Sequence, residues 1–322
     1  MVKSEDEEGV GLEYWLQWQV LVCALIFVVP AVVALILIKK KREPLSSAHL
    51  WVPCWRNLNP LWLLFYRAFA FTSMAFLLFQ TVSIFGVFVF LFYTQWSFAL
   101  VMVYFAVGTA ISARGCWRNS CSKKTLPKNG ESDEFMKKDL GDSIKLQSNY
   151  EQEENEHKAG FWEYLMQAIY QTSAGAAVLT DIVFWCILVP FLLGENFHLT
   201  LLIGCMHSLN AVFLLIDSAI NSLPFPWYRL TYFVLWSVVY VIFHWLLHAF
   251  GFTNWWPYPF LDLSTPWAPL WYLGLGLVHL PCYGLYVLLI KAKNSIFSRM
   301  FPYAFVRDAV LSGGNSLEKK QT

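Results

Sequence analysis

The stretch WLQWQVLVCALIFVVPAVVALILIKKKR, residues 15–42, decides the fold class. It is predominantly apolar from Trp15 to Ile38 and ends in four consecutive basic residues. About 20 such residues are enough to cross the roughly 30 Å hydrocarbon core of a bilayer. Acidic rather than basic residues precede the run, at positions 5–8, which argues against a cleaved signal peptide. The stretch therefore predicts a first transmembrane helix.

The composition of the whole chain supports this interpretation. Of its 322 residues, 57% are hydrophobic, 18% aromatic and only 14% charged, and the mean hydropathy is +0.47. Soluble domains average about 25% charged residues. A soluble globule, a nucleic-acid-binding protein and a disordered regulator are therefore excluded for the chain as a whole, and we expect no nucleic-acid partner.

Six further apolar segments follow the first. We therefore predict an all-α polytopic membrane protein with about seven transmembrane helices: one N-terminal helix (15–38) and a six-helix bundle within 61–293. The six segments of the bundle are Leu61–Ile84, Trp96–Ala113, Gln167–Leu193, Thr200–Ile220, Leu230–Phe250 and Pro269–Ile290.

The basic residues predict the orientation, because cytoplasmic segments carry an excess of Lys and Arg. With a non-cytoplasmic N-terminus and a cytoplasmic C-terminus, 22 of the 23 basic residues lie on the cytoplasmic side. Arg67 is included, since its long side chain can snorkel to that interface. On the cytoplasmic side we expect a basic linker at 39–60, a disordered loop at 114–160 and a tail at 294–322. The acidic N-terminal segment 1–14 lies on the non-cytoplasmic side.

The C-terminus ends in Lys319-Lys320-Gln321-Thr322. Two lysines at the third and fourth positions from a cytoplasmic end match a dilysine retrieval signal, which a receptor reads as an address. We therefore expect a location in the endoplasmic reticulum or another endomembrane. The tail and the 114–160 loop are also candidate binding segments for cytosolic partners, although a plain spacer is the better interpretation of the loop.

Strongly polar residues inside the spans lie on single helical faces. His207, Asn210 and Asp217 share one face of the fifth span, and Asp181 lies on a polar face of the fourth. His248 lies near the non-cytoplasmic end of the sixth. Such residues either form hydrogen bonds between helices or line a polar chamber in which chemistry or transport takes place.

Two kinds of chemistry are conceivable for these side chains. His244 and His248 have the spacing of two metal ligands on one helical face, but no accompanying Glu completes a metalloprotease motif. We therefore expect neither a metal nor a cofactor. Acyl transfer needs a hydroxyl or thiol near a base. Thr94 at the start of the third span and His207 in the fifth enter from the same side of the membrane, so their positions permit such a pair.

Four short sequence motifs resemble those of known membrane proteins: NPLW at 59–62, YTQW at 93–96, MHSLN at 206–210 and WPYPFLD at 256–262. With these, residues 51–293 resemble a group of plant multi-pass membrane proteins related to the insect rolling stone proteins. More distantly, the chain is similar to the androgen-induced membrane hydrolases, which are six-span threonine hydrolases of fatty-acid esters of hydroxy fatty acids. The resemblance implies that Thr94 and His207 are the catalytic residues.

Three functions follow from the sequence. The first is a lipid esterase that acts on membrane lipids, with Thr94 as nucleophile, His207 as general base and His248 or Asn210 as an orienting group. The second is a non-enzymatic membrane organiser or adaptor. The third is a proton-coupled transporter using Asp181 and Asp217, although the sequence shows no pair of Gly- or Pro-broken helices of the kind that marks a transport site.

Overall fold

The computed structural model describes residues 12–40, 48–56, 58–125, 160–192 and 199–305. Within these ranges the chain is helical, and strand geometry is limited to two isolated bridges. Seven helices are long and apolar enough to cross a membrane, which confirms the predicted all-α multi-pass architecture. The seven spans are Trp18–Lys40, Pro60–Phe85, Tyr93–Arg118, Phe161–Phe191, Leu201–Ile220, Trp227–Ala249 and Ala268–Met300.

Two helices extend beyond their predicted ends. The third helix runs from Tyr93 to Thr125, past the expected boundary at Ala113, and the seventh runs to Met300 rather than to Ile290. Both extensions carry Lys and Arg, which are good helix formers although they are not apolar. Hydropathy therefore predicted the most apolar part of each helix and not the residue at which the helix ends. The rest of the expected loop, residues 126–159, lies outside the described residues.

The fourth helix, Phe161–Val183, is the centre of the bundle. It packs against the third, fifth, sixth and seventh spans, and small side chains allow these close approaches. At Gly175 an added Cβ would lie 2.6 Å from a ring atom of Phe233 on the sixth span. The first span, by contrast, packs only on the outside of the bundle, against the sixth and seventh spans.

We call the side of the bundle at Lys40 the inner face and the opposite side the outer face. At the inner face, part of the predicted basic linker is ordered beneath the helices. The amide of Cys54 donates to the carbonyl of Ile220 (2.8 Å) and the amide of Arg56 donates to the carbonyl of Ala304 (2.8 Å). The indole of Trp55 donates to the carbonyl of Ala219 (3.0 Å). These bonds tie the linker to the ends of the fifth and seventh spans.

Two neighbouring spans are irregular in their outer halves. The fourth helix continues as a π-helix over Phe184–Leu192, which contains Pro190. The fifth span is broken into Leu201–Met206 and Leu209–Ile220, with His207 and Ser208 between the two helices. The sequence predicted no interrupted helix here, whereas the structure interrupts the fifth span and leaves the fourth continuous but irregular. The break could not be recognised from Gly or Pro, because the chain departs from helical geometry at a histidine and a serine.

Candidate active site

The outer half of the bundle encloses a cavity of about 380 Å³, which we call the outer cavity. Its wall is mostly apolar and is built by the second to fifth spans and by the outer loop at residues 257–259. Thr94 and His207 both line it. The structure thus brings the two residues of the predicted catalytic pair to one cavity, although they lie 113 positions apart in the chain.

Thr94 is held in the first turn of the third helix, which begins at Tyr93, and its side chain is 7% exposed. Tyr258 from the outer loop packs over this turn. Its hydroxyl accepts a hydrogen bond from the amide of Tyr93 (3.2 Å) and also interacts with the Thr94 side chain. Burial raises the pKa of Tyr258 to about 12, so the phenol remains protonated at neutral pH and keeps a hydrogen to donate.

His207 is positioned by the irregular backbone around it. Its ring stacks on Phe184, with centroids 3.5 Å apart and planes inclined by 4°. The carbonyl of His207, freed by the break in the helix, accepts a hydrogen bond from the indole of Trp185 (2.9 Å). Nδ1 of the imidazole is buried without a hydrogen-bond partner in the described part of the chain. The π-helix of the fourth span therefore fixes the histidine by stacking and through its backbone.

No hydrogen bond joins Thr94 to His207 among the described residues, and the outer cavity lies between them. Catalytic hydrogen bonds are often long or absent before substrate binds. A hydroxyl and an imidazole that face the same apolar space can act on an ester placed between them. The arrangement therefore provides the groups for acyl transfer and leaves room for a substrate.

Among the described residues, no hydrogen bond joins His207 to either predicted orienting group. Asn210, one turn deeper in the fifth span, donates to Asp181 Oδ1 (3.3 Å), so its amide links the fourth and fifth spans. His248 is farther away and does not line the outer cavity. Its ring lies 4.5 Å from that of Trp256 and 5.6 Å from that of Tyr14, in a cluster beneath the outer loop.

Asp217 belongs to a separate network in the inner half. Its Oδ1 accepts from Arg67 Nε (2.9 Å) and its Oδ2 accepts from Tyr104 (2.5 Å) and Asn221 (2.6 Å). Arg67 is fully buried and also donates to the carbonyl of Leu50 (2.6 Å). The expectation that Arg67 snorkels to the interface is therefore wrong, because Asp217 supplies a counter-charge and Leu50 a carbonyl acceptor inside the bundle, although Nη2 has no hydrogen-bond partner among the described residues. A carboxylate held in this ion pair is a poor proton relay.

The structure also joins two polar residues that the predicted site left out. Ser237 of the sixth span and His279 of the seventh are hydrogen-bonded, with Oγ and Nε2 2.7 Å apart. The sequence gives little signal for this pair, because a lone serine in an apolar helix has no pattern around it. His279 does lie on the polar side of its helix, and that position is the one signal that could have drawn attention to it.

Comparison of this chain with protein-family models, with curated proteins and with solved structures found no match. A helical-bundle fold is shared by proteins of many unrelated activities. Function must therefore be inferred from the cavities and from the chemistry of the side chains that line them.

Proposed function

We propose that this protein is a membrane-embedded hydrolase of fatty-acid esters, with Thr94 as nucleophile and His207 as general base. One observation carries the proposal: both residues line a single, mostly apolar cavity at the outer face. An apolar wall accepts an acyl chain, and the two polar groups meet its ester bond. The resemblance to the membrane threonine hydrolases supports the same two residues, and membrane lipids are the source of substrate.

In the proposed reaction, His207 removes the proton of the Thr94 hydroxyl as Oγ1 attacks the ester carbonyl carbon. The bond to the alcohol oxygen breaks, and the alcohol leaves with the proton from the imidazole. Water then releases the fatty acid from acyl-Thr94 by the same two proton transfers. The protonated hydroxyl of Tyr258 beside Thr94 is the donor best placed to stabilise the oxyanion, which is usually the largest catalytic contribution.

The proposal is tested by measuring hydrolysis of long-chain fatty esters and labelling by a fluorophosphonate with purified protein. Removal of either catalytic group should lower kcat by at least about 100-fold. We therefore expect this loss in Thr94→Ala and His207→Ala, each made in a Ser237→Ala background so that the Ser237–His279 contact cannot contribute to hydrolysis. Thr109→Ala is the matched control, because Thr109 lies on the same helix and bonds only to its own backbone at the carbonyl of Phe105 (2.7 Å).

Two outcomes would contradict the proposal. If folded wild-type protein neither hydrolyses fatty esters nor reacts with the fluorophosphonate, it is not an esterase of this type. If hydrolysis survives Thr94→Ala and His207→Ala in the Ser237→Ala background, the activity is present but the assigned residues are wrong.

The proposed location is the endoplasmic reticulum or a related endomembrane. The support is the dilysine sequence at Lys319 and Lys320, which lies outside the described residues. Replacing both lysines with serine in a fluorescent fusion should redistribute the protein away from a reticular membrane. An unchanged distribution would remove the dilysine sequence as the reason for its location.

Proton-coupled transport is a second candidate, and the irregular fourth and fifth spans favour it. Interrupted helices that face each other frame the substrate site in many transporters, and Asp181 lies just before the π-helix. In proteoliposomes with a pH gradient, transport predicts a proton flux that Asp181→Asn abolishes. A hydrolase requires no such flux. The organiser function depends on the loop at 114–160 and the tail at 294–322, of which residues 126–159 and 306–322 lie outside the described residues.

A further inference from the structure

We infer that Ser237 and His279 form a second nucleophile–base pair, which accepts the acyl group of a hydrophobic ester that enters from the bilayer between the first, sixth and seventh spans. This pair is separate from Thr94 and His207, and it does not require their activity. Its support is a hydrogen-bond geometry, a defined tautomer and access from two cavities.

The hydrogen bonds of His279 fix the direction of its protons. Nδ1 lies 2.7 Å from the carbonyl of Leu275, and a carbonyl oxygen can only accept, so Nδ1 carries the hydrogen. In a neutral imidazole the other nitrogen then has a free lone pair. That nitrogen, Nε2, lies 2.7 Å from Ser237 Oγ and accepts the serine proton. The base is thus oriented through its second nitrogen, as a general base that activates a hydroxyl must be.

Tyr93 completes the arrangement. Its hydroxyl lies 2.8 Å from Ser237 Oγ, and because the serine proton is directed at His279, Tyr93 is the donor in this contact. The serine oxygen therefore faces both a base and a hydrogen-bond donor. The donor can stabilise negative charge on Oγ as its proton passes to His279.

Both members of the pair are reached from open space. They line a crevice of about 320 Å³ between the first, sixth and seventh spans, whose walls include Phe27, Pro30 and Leu280. They also line a smaller cavity of about 100 Å³ that shares Thr94 and Tyr258 with the outer cavity. The serine thus lies where an apolar route from the bilayer meets a route to the outer face.

The position in the bilayer fits a lipid substrate. Ser237 is ten residues from Trp227 at the inner end of the sixth span, which corresponds to a depth of about 15 Å. A simple interhelical hydrogen bond would contribute only about 0.6 kcal/mol and needs no cavity. Here the first span, which lies outside the main bundle, forms one wall of an apolar crevice that leads to the hydroxyl.

Ester hydrolysis at Ser237 requires no reactant other than the ester and water. His279 Nε2 takes the proton of Ser237 as Oγ bonds to the ester carbonyl carbon. The carbonyl–alkoxy bond breaks, and the alkoxide leaves as an alcohol with that proton. Water then attacks acyl-Ser237, passes a proton through Nε2 to Oγ, and the fatty acid is released. The net reaction is ester plus water to acid plus alcohol.

The experiment uses full-length protein in lipid nanodiscs and a fluorophosphonate with a long alkyl chain. After reaction and digestion, mass spectrometry locates the adduct. We expect the adduct on Ser237 in wild type and in Thr94→Ala, and a labelling rate at least about 100-fold lower in His279→Gln. The wild-type adduct needs no substitution, so the test does not depend on whether a variant folds.

A matched pair of glycine variants tests whether the fluorophosphonate reaches Ser237 through the crevice. Gly276 lines the crevice and has no atom within 4 Å of a Cβ built on it, whereas Gly274 is equally open but does not line the crevice. We expect Gly276→Leu to slow labelling of Ser237 by at least tenfold and Gly274→Leu to leave it unchanged. Equal rates in the two variants would contradict entry through this crevice.

The possible adducts separate this inference from the proposed function. An adduct on Thr94 alone overturns the Ser237 pair and leaves the Thr94 hydrolase standing. An adduct on Ser237 alone supports the pair and overturns Thr94 as the nucleophile. If the folded protein gains no adduct at either residue, both are overturned.

Discussion

The buried ion pair between Arg67 and Asp217 makes the sharpest prediction about stability. We consider Asp217→Asn, Arg67→Met and the double variant that carries both. Each side chain is fully buried, and the two charged atoms lie 2.9 Å apart. Either single substitution therefore leaves one charge in the bundle without its counter-charge, whereas the double variant leaves none.

The structure sets the expected size of the effects. Breaking a buried ion pair by removing one partner costs about 3–5 kcal/mol, because the remaining charge is uncompensated. We expect that loss in each single variant. The double variant loses the pair but also removes the stranded charge, so it should be destabilised less than either single variant. If the two sites were independent, the losses would add to within about 0.5 kcal/mol.

Thermal unfolding in detergent, followed with a thiol-reactive fluorophore, measures these differences. Cys54, Cys116 and Cys282 are buried and become reactive when the bundle opens, while exposed Cys186 is replaced by Ser to lower the background. At about 2–4 °C per kcal/mol, each single variant should unfold about 6–20 °C below wild type. The double variant should unfold at a temperature between those of the single variants and wild type.

The order of the unfolding temperatures of the single and double variants tests whether the two charges compensate each other. A double variant that unfolds below both single variants would show that Arg67 and Asp217 do not compensate each other. A loss of less than about 1 kcal/mol in Asp217→Asn would show that the carbonyl of Leu50 and the hydroxyl of Ser112, 2.6 and 2.8 Å from Arg67 Nη1, are enough to stabilise the guanidinium.

Two further predictions concern stability in the same assay. Gly175→Ala places a Cβ 2.6 Å from the ring of Phe233 and should cost about 1–3 kcal/mol by overpacking, while Gly276→Ala, which meets nothing, should not lower the midpoint. Burial raises the pKa of Tyr258 from 10.0 to about 12, so above pH 10 the unfolded state loses a proton that the folded state keeps. The free energy of unfolding should therefore fall by up to about 2.7 kcal/mol between pH 10 and 12. Tyr258→Phe should lack this decrease. Equal midpoints for the two alanine variants, or an unchanged pH dependence in Tyr258→Phe, would contradict these assignments.

The sequence predicted the spans well because hydropathy reports the property that the membrane selects. All seven predicted segments correspond to helices. The errors lie where another interaction decides the structure. The third helix continues beyond Ala113 because a helix outside the membrane needs no apolar residues, and Arg67 stays inside because Asp217, 150 positions away, supplies its counter-charge. Pairings over such separations leave no periodic signal in either helix.

The candidate site was predictable only in part, for a similar reason. Thr94 and His207 could be placed at the same side of the membrane, and the structure puts both on one cavity. The stacking of His207 on Phe184 depends on a π-helix and a helix break that propensities do not encode. The contact between Ser237 and His279 depends on the packing of the sixth span against the seventh, so a single sequence could not reveal it.

The polar residues of this bundle divide by depth into two groups with different consequences. In the inner half, the carboxylate of Asp217 accepts bonds from Arg67, Tyr104 and Asn221, and one nitrogen of Arg67, Nη2, is buried without a partner among the described residues. In the outer half, His207 faces a cavity and retains a buried nitrogen without a described partner. The two groups differ in access, because His207 lines the outer cavity and Arg67 does not. Substitutions in the inner group should therefore change stability, whereas substitutions at the cavities should change reactivity in a protein that remains folded.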